Sequence, residues 1–215
     1  MRALSIKICG IKDNAALDAA LSGGASHVGF VFVGKSPRYV GFEQAAALAA
    51  RARGRASVVG LFMDPALADL EAAHRAVGLD VIQLHGSESP AFAAQVRSAM
   101  GLETWKALGV RTRADLSAAR GYAGAVERVL YDAKPPEGAD SLPGGTGLRI
   151  DWALLSGVDH PSPWILAGGL DPANVAAAIA ATGADFIDVS SGVERERGVK
   201  DPARIKEFCA AARGR

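Results

Sequence analysis

Six short stretches of this chain carry residues able to hold an anion or move a proton. Cys9 sits in the run Lys7-Ile8-Cys9-Gly10, Arg38 in Ser36-Pro37-Arg38-Tyr39, and His85 stands before Gly86. Asp132 follows Tyr131, and the pair Gly168-Gly169 and the run Ser190-Ser191-Gly192 complete the set. A thiol is a base once its surroundings favour the thiolate. A carboxyl group delivers a proton, and a guanidinium grips a carboxylate through paired N–H donors. Glycine-rich turns let backbone amides approach an anion closely. Taken singly, each residue also has a structural explanation. A free cysteine packs as a small apolar residue, a lone loop arginine is solvated, and histidine or aspartate at a strand end helps shape a turn.

The elements that must position these residues alternate from end to end. Strand-like runs cover Leu4–Cys9, His27–Val33, Ser57–Phe62, Asp80–Leu84, Glu103–Leu108, Arg128–Asp132, Trp164–Ala167 and Asp185–Val189. Helices are expected over Asn14–Ser22 behind an Asp13 cap, around Phe42–Arg53, from Asp64-Pro65 through Ala76, and from Ser89-Pro90 onward. Others should begin at Thr112 or Arg113, cover Ile150–Leu155 and Pro172–Ala181, and run from Asp201-Pro202 to about Ala212. A glycine-rich loop, Ala133–Gly147, interrupts the rhythm. Eight strand–helix units without a linker or composition shift predict one α/β domain over residues 1–215, a (β/α)8 TIM barrel. A doubly wound sheet is the alternative. Against it, no GxGxxG follows the first strand, and the polar residues fall repeatedly at strand C-terminal ends. In a barrel those ends form one mouth. Within the first strand Lys7 and Cys9 share one face and Ile6 and Ile8 the other, so the polar pair should face inward.

The totals narrow the function classes. The chain has 215 residues, 24 Lys+Arg against 23 Asp+Glu, and a formal net charge of +1. That balance gives no footprint for nucleic acid or for an anionic membrane, and no apolar run is long enough to span a bilayer. Two cysteines, Cys9 and Cys209, form neither a disulfide framework nor a zinc pattern. A cytoplasmic protein is expected. Gly168-Gly169 and Ser190-Ser191-Gly192 follow the last two strands, where many barrels hold a phosphate. The expected partner is therefore a small phosphorylated molecule, facing a possible acid and a possible thiol base across the mouth.

Further motifs make the pattern specific. Lys7-Ile8-Cys9-Gly10-Ile11, Gly29-Phe30-Val31-Phe32 with Ser36-Pro37-Arg38, and Gln83-Leu84-His85-Gly86 resemble the phosphoribosylanthranilate isomerase family. So do Gly144-Gly145-Thr146-Gly147, Ala167-Gly168-Gly169-Leu170 with Asn174-Val175, and Val189-Ser190-Ser191-Gly192-Val193-Glu194 with Lys200-Asp201. The ordered set covers almost the whole chain. Small departures are Lys12, where the family often has a smaller polar residue, and the surroundings of Asp132.

The resemblance implies an Amadori rearrangement of N-(5-phosphoribosyl)anthranilate to the 1-deoxyribulose 5-phosphate product in tryptophan synthesis. It implies Asp132 as general acid, Cys9 as general base, and Arg38 as the grip on the anthranilate carboxylate. His85, Gly168, Gly169, Ser190, Ser191 and Gly192 are the remaining expected substrate contacts. Such an internal redox rearrangement needs no metal, flavin or nicotinamide, so no cofactor is expected. Lys7, on the face of Cys9, is expected to favour the thiolate. A monomer is expected, with a homodimer as the alternative. Two other readings remain open: the related aminoaldose isomerase of histidine synthesis, and a non-catalytic phosphosugar-binding barrel. Cys9 and the missing second phosphate turn argue against the first. Retention of both Cys9 and Asp132 argues against the second.

Overall fold

Strand β1 (Ser5–Cys9) shows how the chain divides inside from outside. Ile6 and Ile8 are fully buried and join the apolar cluster that also holds Ala16 and Leu17 of helix α1 (Asn14–Ser22). Lys7 and Cys9 alternate onto the other face and are buried as well. The computed structural model describes residues 4–134 and 148–214. In them eight parallel strands close into a barrel. The other seven are β2 (His27–Val31), β3 (Ser57–Phe62), β4 (Val81–Leu84), β5 (Glu103–Val110), β6 (Arg128–Ala133), β7 (Trp164–Leu166) and β8 (Phe186–Val189). Pairing of β1 with β8, with Lys7 opposite Asp188, shuts the ring. Val59, Val81, Trp105, Ala107, Leu130, Ile165, Ala167 and Phe186 fill its interior as one apolar cluster. This is the packed core of a TIM barrel rather than a pore.

The outer layer comprises α1, α2 (Phe42–Ala52), α3 (Leu67–Val77), α4 (Pro90–Met100), α5 (Val175–Thr182) and α6 (Pro202–Ala212). The expected caps hold at three of them. Asp13 accepts from Ala16 N at 2.8 Å, Ser89 from Phe92 N at 3.2 Å ahead of Pro90, and Asp201 from Ala203 N at 2.8 Å. An antiparallel pair, β9 (Glu194–Glu196) with β10 (Val199–Lys200), lies between β8 and α6. Among the described residues no helix is long and apolar enough to cross a membrane.

Three expected boundaries move, and the helix expected from Thr112 or Arg113 starts there but changes type, each for a local reason. Asp64 does not open a helix: it takes a left-handed φ of 47°, and its carboxylate accepts from Ser87 N at 2.6 Å. Helix α3 starts at Leu67 instead, with Asp69 accepting from Ala66 N at 3.0 Å. The segment after β5 is a 3-10 run, Arg113–Tyr122, started by Asp115 accepting from Thr112 N at 2.7 Å. The Ile150–Leu155 helix shortens to a single 3-10 turn, Trp152–Leu154. Asp171 and Asn174 exchange bonds, Asn174 N to Asp171 Oδ1 at 2.9 Å and Asp171 N to Asn174 Oδ1 at 3.0 Å. This closed turn delays α5 to Val175. Gly144-Gly145-Thr146-Gly147 and most of the loop Ala133–Gly147 lie outside the described residues.

Candidate active site

The Cys9 side of the mouth is built on β1 and β2. Gly29 stands opposite Cys9 in the ladder, and a Cβ there would lie 3.1 Å from both Cys9 Sγ and Lys7 Cε. A side chain at that position would displace the thiol or the lysine stem, so glycine leaves room for both. Cys9 is 4% exposed and packs beside Val31 and Leu61, with Val33 at their edge. Lys7 Nζ donates to Asp188 Oδ1 at 2.9 Å inside the barrel. Burial opposes the Lys7 charge, but Asp188 and the Cys9 sulfur together hold its pKa above the ordinary value. Lys7 does lower the thiol pKa, as expected, yet burial dominates and pushes the Cys9 thiol up. The net shift is therefore the reverse of the simple sequence expectation.

Arg38 reaches the same end of the barrel from the loop after β2. Lys12 Nζ donates to Pro37 O at 2.9 Å and ties that loop to the end of β1. Arg38 is buried, and its Nε and Nη2 donate to the two oxygens of Glu194 at 2.7 and 2.9 Å. This is the fork geometry that suits a guanidinium. Glu194 also accepts from Lys200 Nζ at 2.8 Å and Gly198 N at 3.0 Å. Burial works against its charge, yet Arg38 and Lys200 bring its pKa down to about 2. Lys200 is buried too, and burial pushes its pKa down despite Glu194. It donates onward to Ser190 O at 2.8 Å and Ser190 Oγ at 3.2 Å, and Ser190 Oγ donates to Cys9 O at 3.2 Å.

The two glycine turns lie against each other after β7 and β8. A Cβ on Gly192 would stand 1.9 Å from Leu170 O, so the 3-10 turn Ser191–Val193 packs directly on the turn after β7. Gly169 has φ +69°, and a Cβ there would meet Leu148 O at 2.6 Å. Asn174 Nδ2 donates to Gly169 O at 2.9 Å and braces the turn from behind. The backbone N–H groups of Gly169, Ser191 and Gly192 have no acceptor among the described residues. Because α5 starts only at Val175, the amides that gather at this corner come from the turns themselves.

The Asp132 side is built on β4 and β6. Asp132 lies near the end of β6, and its side chain is 14% exposed. Its Oδ1 accepts from Ala133 N at 2.8 Å, and Oδ2 lies 3.4 Å from His85 Nε2. His85 Nδ1 is 3.2 Å from Gln83 Nε2. Placed this way, His85 touches the acid rather than standing apart as a separate contact. A Cβ on Gly168 would lie 2.7 Å from Ala133 N, which joins the acid strand to the first glycine turn.

Four residues of this constellation were not singled out as site residues from the sequence: Lys7 with its partner Asp188, and Glu194 with Lys200. The available signal was a charged residue inside an otherwise apolar barrel strand, as at Lys7 and Asp188, because such a charge must find a partner. Lys106 of β5 carries the same signal and donates to Glu88 at 2.8 Å, toward the helix layer rather than the mouth. Among the described residues no group of three His, Cys, Asp or Glu side chains is arranged to hold a metal ion.

An eight-stranded parallel barrel with an anion corner after β7 and β8, flanked by a thiol on β1 and a carboxyl on β6, defines a phosphosugar-type TIM-barrel enzyme. A family model described as N-(5'phosphoribosyl)anthranilate (PRA) isomerase matches residues 6–211. An N-(5'-phosphoribosyl)anthranilate isomerase of Rhodospirillum centenum is 51% identical over 211 residues, covering 97% of this chain and 99% of that one. The solved phosphoribosyl anthranilate isomerase of Thermotoga maritima superposes with a TM-score of 0.87 at 33% identity, covering 99% of this chain and 100% of that chain. A structure of such an isomerase in complex with reduced 1-(o-carboxyphenylamino)-1-deoxyribulose 5-phosphate has a TM-score of 0.82 at 30% identity, with coverage of 99% and 100%. The chain belongs to the N-(5'-phosphoribosyl)anthranilate isomerase family. Its activity is that isomerisation, a step of tryptophan biosynthesis.

Proposed function

We propose that Asp132 and Cys9 carry the two proton transfers of the rearrangement. Asp132 protonates the furanose ring oxygen, and the C1′–O bond breaks to give the open-chain Schiff base. Cys9, as thiolate, takes the proton from C2′, and the electrons move to nitrogen as an enolamine. Tautomerisation yields the ketone. In that tautomerisation C1′ takes a proton back from the Cys9 thiol and the C2′ hydroxyl gives its proton to the Asp132 carboxylate, so both groups return to their starting states and neither oxidant nor reductant enters. Arg38 holds the anthranilate carboxylate. The amides of Gly169, Ser191 and Gly192, with the Gly168 and Ser190 backbone around them, receive the phosphate. His85 supports Asp132 and borders the sugar.

The observation that carries this reading is the order around the ring. In the sequence β6, β7, β8, β1, the acid strand and the thiol strand flank the two glycine turns. A ligand anchored by its phosphate at that corner therefore has the carboxyl on one side and the thiol on the other. A monomer is the proposed state, and sedimentation at micromolar concentration distinguishes it from a homodimer. Two buried free thiols support a reducing, cytoplasmic setting, and residues 1–215 are read as one domain.

The test is loss of anthranilate fluorescence on freshly made phosphoribosylanthranilate, with wild type, Asp132→Asn and Cys9→Ser. General acid–base groups contribute about 10²–10⁴-fold. Each variant should lose at least about 10²-fold in kcat while still binding a product analogue. A fully active Cys9→Ser makes Cys9 a packed thiol and removes the base from this reading.

A further inference from the structure

Glu194 has no part in the proton transfers, yet its side chain is spent entirely on the mouth. It is 6% exposed, and its carboxylate accepts four hydrogen bonds: two from Arg38, one from Lys200 and one from Gly198 N. The two cations come from different elements around the mouth. Arg38 comes from the loop after β2, where the carboxylate grip is placed. Lys200 comes from β10 and is fastened to Ser190, at the start of the phosphate turn. Glu194 sits where β9 begins, directly after the Ser191–Val193 turn. The hairpin is held in place behind it: Gly198 has φ +83°, and a Cβ there would meet Pro37 O at 2.5 Å, in the loop that carries Arg38.

We propose that Glu194 is a positioning residue that fixes the distance between the carboxylate grip and the phosphate turn by holding Arg38 and Lys200 on one carboxylate. The proposal rests on the isomerase reading. A substrate with an anion at each end gains most when both receptors stand at the right separation, because engagement at one end makes the second effectively intramolecular. A misplacement of about 1 Å can cost 10²-fold in such a site. Glu194 holds one edge of the Arg38 guanidinium through Nε and Nη2, which restrains a long side chain at that separation.

Glu194→Asp is the main test. It keeps the charge that Arg38 and Lys200 need but withdraws the carboxylate by about one C–C bond, roughly 1.5 Å, so both cations can no longer be held at once. Calorimetry compares two ligands: inorganic phosphate, which reads one receptor, and reduced 1-(o-carboxyphenylamino)-1-deoxyribulose 5-phosphate, which spans both. Glu194→Asp should bind the spanning ligand at least about tenfold more weakly and lose less than about threefold for phosphate. KM should rise by more than kcat falls. Glu194→Gln, isosteric but neutral, should show the same split. Equal losses for the two ligands, no loss for either, or failure of both variants to fold overturns the proposal and leaves Glu194 a structural residue. Wild-type protein that binds the spanning ligand no better than phosphate refutes the isomerase reading instead, and that result needs no variant.

Discussion

Replacing Lys7 with methionine should raise the pKa of the Cys9 thiol and slow the reaction in proportion. The chain has two cysteines, so a Cys209→Ser background leaves one thiol to observe. The stem of Lys7 runs beside the sulfur, since both Cε and Sγ stand 3.1 Å from the point where a Gly29 Cβ would be. Four influences act on the thiol: burial raises its pKa, Lys7 lowers it, Asp188 raises it and Lys200 lowers it. An opposite charge within about 4–6 Å is worth about 1–3 pKa units. Without Lys7 the thiolate fraction at fixed pH should fall about 10- to 10³-fold, since each unit is a factor of ten. While C2′ proton removal limits turnover, kcat follows. Methionine keeps the apolar stem but leaves Asp188 buried and alone, so stability should fall by about 3–5 kcal/mol, the usual consequence of breaking a buried pair. Lys7→Met/Asp188→Asn removes both charges. It should recover much of that stability, and its thiol should titrate between wild type and Lys7→Met, because the opposing effect of Asp188 is gone as well. The assay is ultraviolet thiolate absorbance against pH, with the pH dependence of kcat measured on the same proteins. A Lys7→Met titration that superimposes on wild type refutes the electrostatic link between Lys7 and the base.

Gly192→Ala forces a carbon to within 1.9 Å of Leu170 O unless the turn moves; inhibition by inorganic phosphate should weaken at least about tenfold, and unchanged inhibition places the phosphate elsewhere. His27, stacked among Trp105 and Phe186, has its pKa lowered from 6.5 to about 4 by burial first and then by Lys7 and Arg128. The unfolded chain therefore binds the extra proton first, so stability is complete above pH 6.5 and declines as pH falls toward 4, by up to roughly 3 kcal/mol over that window. His27→Gln should flatten urea-denaturation stability across the same window, and a retained slope assigns it to other groups.

Much of this architecture is legible in the chain because period-two patterning and strand-end chemistry are local properties. Ile6 and Ile8 against Lys7 and Cys9 already divide outside from inside, and Asp13, Ser89 and Asp201 cap the helices they precede. What escapes is set by partners distant in sequence. Asp64 reads as a cap, but Ser87 and Glu88 capture it. Asp171 reads as a helix start, but its exchange with Asn174 closes a turn first. Arg38 is legible as an anion grip from its type and loop. Its fastening to a carboxylate 156 residues later is not. Lys7 is legible as a neighbour of Cys9, but the size of the burial effect on the thiol depends on the closed barrel around both.

The ionisation that the proposed proton transfers require runs against the ordinary order. A free carboxyl group loses its proton well before a free thiol, yet in that proposal the carboxyl begins protonated and the thiol deprotonated. Polar neighbours are distributed accordingly. Two buried ammonium groups, Lys7 and Lys200, act on the thiol. The side-chain contact of Asp132 is His85, whose Nε2 lies 3.4 Å from Oδ2, and neither lysine of the thiol side reaches it. The bound ligand then alters the balance: a phosphate dianion beside Ser190 adds negative charge close to Cys9 and works against the thiolate. The cations on that side must therefore offset burial, Asp188 and the incoming phosphate together, and this gives a reason for a second buried lysine at β10 in addition to Lys7. Glu194 neutralises part of what Lys200 brings, so the charge available to the thiol depends on how that carboxylate is shared with Arg38. Arg38, Glu194, Lys200 and Ser190 thus form a hydrogen-bonded chain of four side chains that ends on the Cys9 carbonyl, so the proposed carboxylate grip and the proposed base share one electrostatic network.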